Sequence, residues 1–554
     1  MTANRPSVYL AVLAVLSLGI VGYNLGASSF YSMDEARHAV VAREAVTDGN
    51  WLPLTYNGRP YYNKPPLRIW LTALTYKVAG VSEWSARIWS AIFAIGTVLG
   101  LFLIGRRLFG TRAAFLAALV LLTSHQYIYN HCARTGEPDS MLIFCWTYGL
   151  LLLQLSVEER SRKHLFSAAV LIGLCGMVKH LGFIPIVLSI AVGYVLLARV
   201  WQAFPWRTWL GAIVLAFAVA IPWHLILWAK QGREFLDAYL LGEVVDKRLQ
   251  APAGSRVMAK LGSWAPLHTL ARGFFPWSCL LPFALVDLFR KEDFRRRWLL
   301  PTLWLLVALV TMALSGRKFT WYVLPAFPAA AILVGGLLDR FLVQPSSAFA
   351  RFSIVLGGLV AFASTTTATS HNPFGTLARE QILSVAFLSR LRSPGSDLLA
   401  VTVLLLVMAG LALVVARWMS LHSAGTYSVG TILVALIVVL ALYTVIVPLK
   451  FSTTRSHFDL IALAVQDHRQ EGETLVVGLS GNKSRHPIFV YYLGAQDFRR
   501  VRLGKTESEE LSGKLVLTDW ATLKKIREKS DAAGPPEGFL ARERGLILLR
   551  WPAG

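Results

Sequence analysis

The chain is poor in charge. Only 16% of its 554 residues are Asp, Glu, Lys or Arg, well short of the roughly 25% of ordinary soluble domains. Acids are the scarcer sign, with 32 Asp and Glu facing 55 Lys and Arg, a formal net charge of +23. This shortage, with 55% hydrophobic residues and a mean hydropathy of +0.52, excludes a conventional soluble globule and points to a membrane protein. Cysteine is equally sparse. Three of the four, Cys145, Cys175 and Cys279, lie inside apolar runs, so neither a disulfide framework nor a structural zinc site is indicated. No internal repeat or low-complexity tract stands out.

What is present in excess, basic residues, needs an anionic counterpart: phosphate, a lipid head group or nucleic acid. About thirteen runs approach the roughly 20 apolar residues that a span needs. They lie near 8–27, 84–104, 113–129, 140–156, 165–178, 182–198, 208–228, 274–289, 298–314, 322–339, 352–369, 397–416 and 427–447. The first is read as an uncleaved helix. Arg106, Arg107, Arg160, Arg162, Lys163 and Arg290 to Arg297 fall in short loops on one side, at about twice the density of the opposite loops, and that side reads as cytoplasmic. These basic runs therefore report topology, and nucleic acid drops out. The opposite loops include the long ones, 28–83 and 229–273. Residues 448–554 then lie outside too. There, Thr474 to Gly478, Arg499 to Leu503, Lys514 to Thr518 and Gly545 to Leu549 read as strands, and 486–493 and 522–529 as helices, giving a small periplasmic α/β domain.

Function belongs in the outer loops. In the first, Ser32 can cap a helix that places Asp34, Arg37 and His38 on one face, so that a carboxylate, a guanidinium and an imidazole converge. Asp34 and Glu35 also suit a helix N-terminus on dipole grounds alone. Arg59 to Leu67 sets Tyr61, Tyr62, Asn63 and Lys64 before two prolines that keep the stretch out of helix. Lys64 can meet a phosphate there or snorkel from an interfacial aromatic belt. In the second outer loop, Glu137 and Asp139 stand at the membrane surface, with Arg134 as their nearest partner unless it serves a substrate. Lys179 with His180, and Arg317, Lys318 and Tyr322, occupy further tips on the same side. Such a gathering of acids and bases suits a phosphate-bearing lipid head group. The fourth outer loop holds an interfacial helix over 239–249. Loop position alone sets Glu83 and His268 near the site; no metal is expected from them, and no cofactor is implied, a divalent cation being admissible but not predicted.

A hydrophobic helix followed at once by Asp34-Glu35, then Tyr-Tyr-Asn-Lys-Pro-Pro at 61–66, then Arg-Thr-Gly-Glu-Pro-Asp at 134–139, resembles the GT-C superfamily of lipid-linked sugar transferases. Within it the chain is most similar to the bacterial lipid A 4-amino-4-deoxy-L-arabinose transferases, relatives of the protein O-mannosyltransferases. The resemblance implies a polytopic α-helical fold over residues 1–447 with a terminal α/β domain over 448–554, in the inner membrane. It implies transfer of the amino sugar from an undecaprenyl-phosphate carrier to lipid A phosphate on the periplasmic face, with resistance to polymyxin, by a chain expected to act as a monomer among membrane lipids. Asp34 matches the family's essential acid, Lys64 and Arg37 match positions that hold the carrier phosphate, and 134–139 matches the second acidic motif. Some members carry a carboxylate where this chain has Asn63. A protein hydroxyl as acceptor, and a transporter, are the rival readings. Against a transporter stand the one-sided loops and the lack of a half-chain repeat.

Overall fold

The computed structural model describes residues 6–30, 32–246, 262–289, 293–343 and, beyond 464, a set of short segments that includes five strands. Helix α1 (Pro6–Ser17) runs into a π turn, Leu18–Gly22. It is followed by α2 (Met33–Thr47), α3 (Leu67–Ala79), α4 (Glu83–Leu108), α5 (Thr111–Leu122), α6 (His125–Tyr129), α7 (Asp139–Glu158), α8 (Arg162–Val178), α9 (Phe183–Leu197), α10 (Trp206–Ala220) and α11 (Pro222–Phe235). Four more follow: α12 (Ala265–Gly273), α13 (Leu281–Phe289), α14 (Leu299–Leu314) and α15 (Phe327–Val343). Helices α4, α7, α8 and α10 pack in sequence, with α5 and α15 together beside them. Small residues let these helices approach closely. A methyl group at Gly173 would fall 2.3 Å from the Ala216 carbonyl oxygen, and one at Gly335 2.6 Å from the Ala117 nitrogen.

Several spans expected as straight helices are broken. Among the described residues four helices are long and apolar enough to cross a membrane, or six if each bent pair counts as one span. The run 208–228 bends by 42° between α10 and α11, where Pro222 lacks the amide that would continue the helix. The run 113–129 splits at Thr123 and Ser124, whose hydroxyls donate back to the carbonyls of Leu119 and Val120 and so compete with the helical ladder. The run 274–289 belongs to a pair bent by 120° across Pro276. The spans expected at 352–369, 397–416 and 427–447 lie outside the described residues, as does part of 239–249.

The first outer loop is more helical than expected. Residues 59–66 stay out of helix as expected, and Pro66 stands just ahead of α3, where a fixed φ and a missing amide cost nothing, so the helix not expected from sequence begins at Leu67. Between α2 and α3 a hairpin pairs β1 (Thr55–Tyr56) with β2 (Arg59–Pro60). Its turn, Asn57-Gly58, has both φ angles positive, at 54° and 71°, as such a two-residue turn requires. Glu44 of α2 accepts from the Asn57 amide at 2.7 Å and the Thr55 hydroxyl at 2.8 Å, tying the hairpin down.

Strands β3 (Leu475–Gly478), β4 (Phe498–Arg500), β5 (Leu515–Asp519), β6 (Phe539–Glu543) and β7 (Leu546–Arg550) form a mixed sheet in the order β4-β3-β5-β7-β6. Strands β4, β3 and β5 run parallel, whereas β7 is antiparallel to both β5 and β6. Four of these match the strands read from sequence and β6 is additional; apart from Tyr491, the expected helices fall outside the described residues. Val476 and Val516 are buried within the sheet. Leu475, Leu515, Leu517 and Leu548 share one apolar cluster with Ala36, Val40, Ala73 and Tyr76 of α2 and α3. Arg43 of α2 adds a hydrogen bond of 2.8 Å to the Tyr491 carbonyl. Helix α2 therefore lies between the membrane helices and the sheet.

Candidate active site

Ser32 caps α2 as expected, accepting from the Glu35 amide at 2.9 Å. The cap fixes the first turn, and the helical period then puts Asp34 and Arg37 in contact at 2.8 Å. Ser32 serves twice, since its hydroxyl also donates to Glu137 Oε1. Glu137 stands between two imidazoles: His131 Nδ1 is 3.4 Å from Oε1 and His38 Nδ1 is 3.5 Å from Oε2. Asp139, first in α7, meets Lys179 from the turn after α8 at 2.7 Å. The Lys179 ammonium also lies over the rings of Phe183 and Tyr322, at 5.2 and 5.6 Å.

Apart from His38, which lies behind Glu137, the side chains that meet here border one cavity of about 770 Å³. Asp34, Arg37, Asn63, Lys64, Glu137, Asp139, Lys179, His180, Arg317 and Tyr322 all line it. They come from four connections that the loop pattern assigns to one side of the membrane. Apolar and aromatic residues, Trp146, Phe183, Ile186, Ala308 and Met312, line the rest of it.

The electrostatics sort the groups by role. Burial raises the Asp34 carboxyl, but His38, Lys64, Arg37 and His131 outweigh it, so Asp34 stays below the usual carboxylate range. His38 is pushed down to about 3, chiefly by burial. It is thus neutral at pH 7, and Lys64 and Arg37 are the charges that keep Asp34 ionised. Burial, reinforced by nearby Asp34, lifts Glu137 well above the ordinary range. Burial would lower Lys179, but Asp139 outweighs it and the ammonium is held.

Other residues singled out from sequence stand elsewhere. Glu35 is sealed beneath α2, paired with Arg87 Nε at 2.7 Å and accepting from the Gly136 amide at 2.7 Å. Arg134 does not pair with Glu137 or Asp139. Its guanidinium donates to the carbonyls of Ile20, Val21 and Asn24 at 3.1, 2.9 and 3.4 Å, because the π turn ending the first helix leaves those acceptors open. Lys318 turns back onto the carbonyls of Ala313 and Ser315 at the end of α14, at 3.0 and 2.6 Å. Tyr61 is packed in the core beneath the hairpin, and Tyr62 packs edge-on against Phe235 at 5.6 Å beside Trp223 and Tyr239. Glu83 opens α4 and His268 lies in α12, and neither lines the cavity.

Sequence reasoning missed His131, Asn130 and Trp321, which do line it. A lone histidine in a short loop gives no periodic signal, and Trp321 carries no charge to mark it among the basic residues of its loop. Asn130 donates to the Thr320 hydroxyl at 3.2 Å and Gln126 to the Thr320 carbonyl at 2.7 Å, which fastens the 315–322 segment to the 125–131 segment.

The chain is similar to known proteins in sequence and in fold. Residues 63–228 match the family model described as dolichyl-phosphate-mannose-protein mannosyltransferase. The chain is 29% identical to the undecaprenyl phosphate-alpha-4-amino-4-deoxy-L-arabinose arabinosyl transferase of Pseudomonas paraeruginosa, over 57% of this chain and 56% of that protein. It is 28% identical to the protein of the same name from Pseudomonas aeruginosa, over 60% of each. The chain thus spans about three fifths of the length of the curated relatives that it matches. Its fold is that of ArnT from Cupriavidus metallidurans, solved with undecaprenyl phosphate bound: the TM-score is 0.72 over the full length of both chains, at 20% identity.

Proposed function

We propose that this chain is a polyprenyl-phosphate-dependent glycosyltransferase that moves 4-amino-4-deoxy-L-arabinose from undecaprenyl phosphate to a phosphate of lipid A. The observation that carries the reading is the cavity in which Asp34 stands among Arg37, Lys64, Lys179 and Arg317. The similarity to proteins named as aminoarabinose transferases supports the choice of sugar and carrier. The enzyme works in the bacterial inner membrane as a monomer, with the cavity and the 448–554 domain on the periplasmic side. Each transfer sets an ammonium beside a lipid A phosphate, weakening the attraction of the surface for cationic peptides such as polymyxin.

The chemistry follows from the charges. An acceptor phosphate monoester has a second pKa of about 6, so near pH 7 most of it is already a dianionic nucleophile. Lys64, Arg37 and Arg317 neutralise the departing lipid phosphate, and Asp34, held ionised, steadies the positive charge that develops at the anomeric carbon. Direct displacement with inversion is the simplest course. Glu137 and Asp139 act around this centre, Glu137 by holding α2 to the second outer loop and Asp139 by fixing Lys179.

A protein hydroxyl is the second reading, favoured by the mannosyltransferase description of the matched family. It would need a base, and Asp34 is the group for it. Mass spectrometry of lipid A separates the two, in cells that make the donor but lack their own aminoarabinose transferase. An added aminoarabinose mass with the wild-type chain and none with Asp34→Asn supports the first reading. No added mass from a well-expressed chain would sink it in favour of a hydroxyl acceptor or another sugar.

A further inference from the structure

An acceptor phosphate that arrives singly protonated must lose its proton during transfer. His131 is placed to receive it. It lines the cavity, and its Nδ1 edge lies 3.4 Å from Glu137. Its ring lies parallel to the Trp321 indole, with centroids 3.8 Å apart and planes 14° apart, and Trp321 is stacked in turn on Phe319 at 4.5 Å and 9°. The residue is held at φ +59°, a conformation that non-glycine residues adopt seldom. A carboxyl on one edge, an indole across the face and this backbone together fix the imidazole. With Nδ1 turned to Glu137, the Nε2 edge is left for the cavity.

We propose that His131 is a further catalytic residue of the transfer, accepting at Nε2 the proton of a singly protonated acceptor phosphate, with Glu137 as the positioning residue behind it. This rests on the substrate reading given above. As an acceptor oxygen forms its bond to the anomeric carbon, the bond from that carbon to the carrier phosphate breaks and its electron pair leaves with the phosphate. The acceptor's proton passes to Nε2, giving an imidazolium, a sugar phosphodiester monoanion and a carrier phosphate dianion, so the net charge is −2 before and after. The imidazolium is met by the charges of Asp139 from its own segment and of Asp34 and Glu35 from α2, against Lys179 from the turn after α8 and Arg317, while the Glu137 carboxyl, held toward its neutral form by burial, stands beside Nδ1. Burial holds the free imidazole below its ordinary pKa, with Asp139 and Asp34 opposing, which keeps the accepting form present at neutral pH.

The test is the initial rate of transfer from the undecaprenyl-phosphate amino sugar to lipid A by the full chain in lipid nanodiscs, from pH 5 to pH 8. His131→Phe keeps a ring against Trp321 but cannot take a proton. It is expected to be slower than wild type at every pH, with a deficit that grows roughly tenfold between pH 8 and pH 5, because the dianion fraction falls about tenfold over that range for a pKa near 6. His131→Gln, which keeps a polar neighbour for Glu137, should show the same slope. A deficit of equal size at every pH in both variants would make His131 a prop for the 315–322 segment and overturn the proposal, as would wild-type rates throughout. A wild-type chain that transfers nothing, with both substrates verified, overturns the substrate reading and this inference with it.

Discussion

Two neighbouring acids on α2 meet two arginines and do different work. Asp34 and Arg37 form a pair with 41% and 27% of their side chains exposed, on the wall of the cavity. Glu35 and Arg87 form a pair at a similar distance with 0% and 2% exposed, sealed between α2, α4 and the second outer loop. Arg87 spends its other donors on the carbonyls of Leu25, Ser28 and Ser29. The open pair can exchange its partner for a substrate, whereas the closed pair can only hold the loops around it. Chemistry alone does not assign a charged residue to a site; its surroundings do.

Breaking the closed pair should have the largest effect. Arg87→Leu leaves Glu35 buried without its counter-charge, which costs about 3–5 kcal/mol. The expected outcome is little folded protein in the membrane and a lowered Tm in detergent, with the Glu35→Gln and Arg87→Leu double variant recovering part of the loss. A wild-type Tm for Arg87→Leu alone would erase the distinction between the pairs. Breaking the open pair should instead spare the fold. Asp34→Asn is expected to cut transfer by roughly 10²–10³ or more with unchanged yield and Tm, and wild-type turnover would remove Asp34 from the mechanism. Next in size is Lys64→Ala, expected to weaken donor binding roughly tenfold or more through loss of a charge-assisted contact. Donor affinity measured by titration decides it, and an unchanged value would return Lys64 to anchoring at the interface.

Part of this was legible in the sequence. Ser32, Asp34, Arg37 and His38 could be placed because a cap and a helical period are local rules, and both operate here as expected. Lys64, Asp139 and Lys179 were marked by charge near the membrane surface, although the partnership of Asp139 with Lys179 rather than Arg134 depends on how α7 and α8 pack. Arg87 was hidden because it lies 52 residues from Glu35, inside an apolar run whose facing direction no periodicity fixed. Helix α3 was hidden because Pro65 and Pro66 break a helix in its interior but begin one at its edge. Hydropathy alone draws straight spans where Pro222 and the Thr123-Ser124 step bend the chain. Local rules were readable, and contacts between distant segments were not.

Arg134 sharpens the comparison with the smallest effect. It sits within the motif that ends in Asp139 and carries the same charge as Arg37, so sequence alone leaves it between the neighbouring acids and the substrate. Its guanidinium is buried against three carbonyls at the end of the first helix, where it answers acceptors that the π turn leaves open. Arg134→Ala exposes those carbonyls to whatever water reaches the helix end, a loss of about 1 kcal/mol for each hydrogen bond removed. The expected result is a Tm lower by a few degrees with kcat and the KM for donor within a few-fold of wild type. A tenfold rise in donor KM at unchanged Tm would move Arg134 from the closed class to the open one, and the rule that burial separates the two classes would fail at that residue.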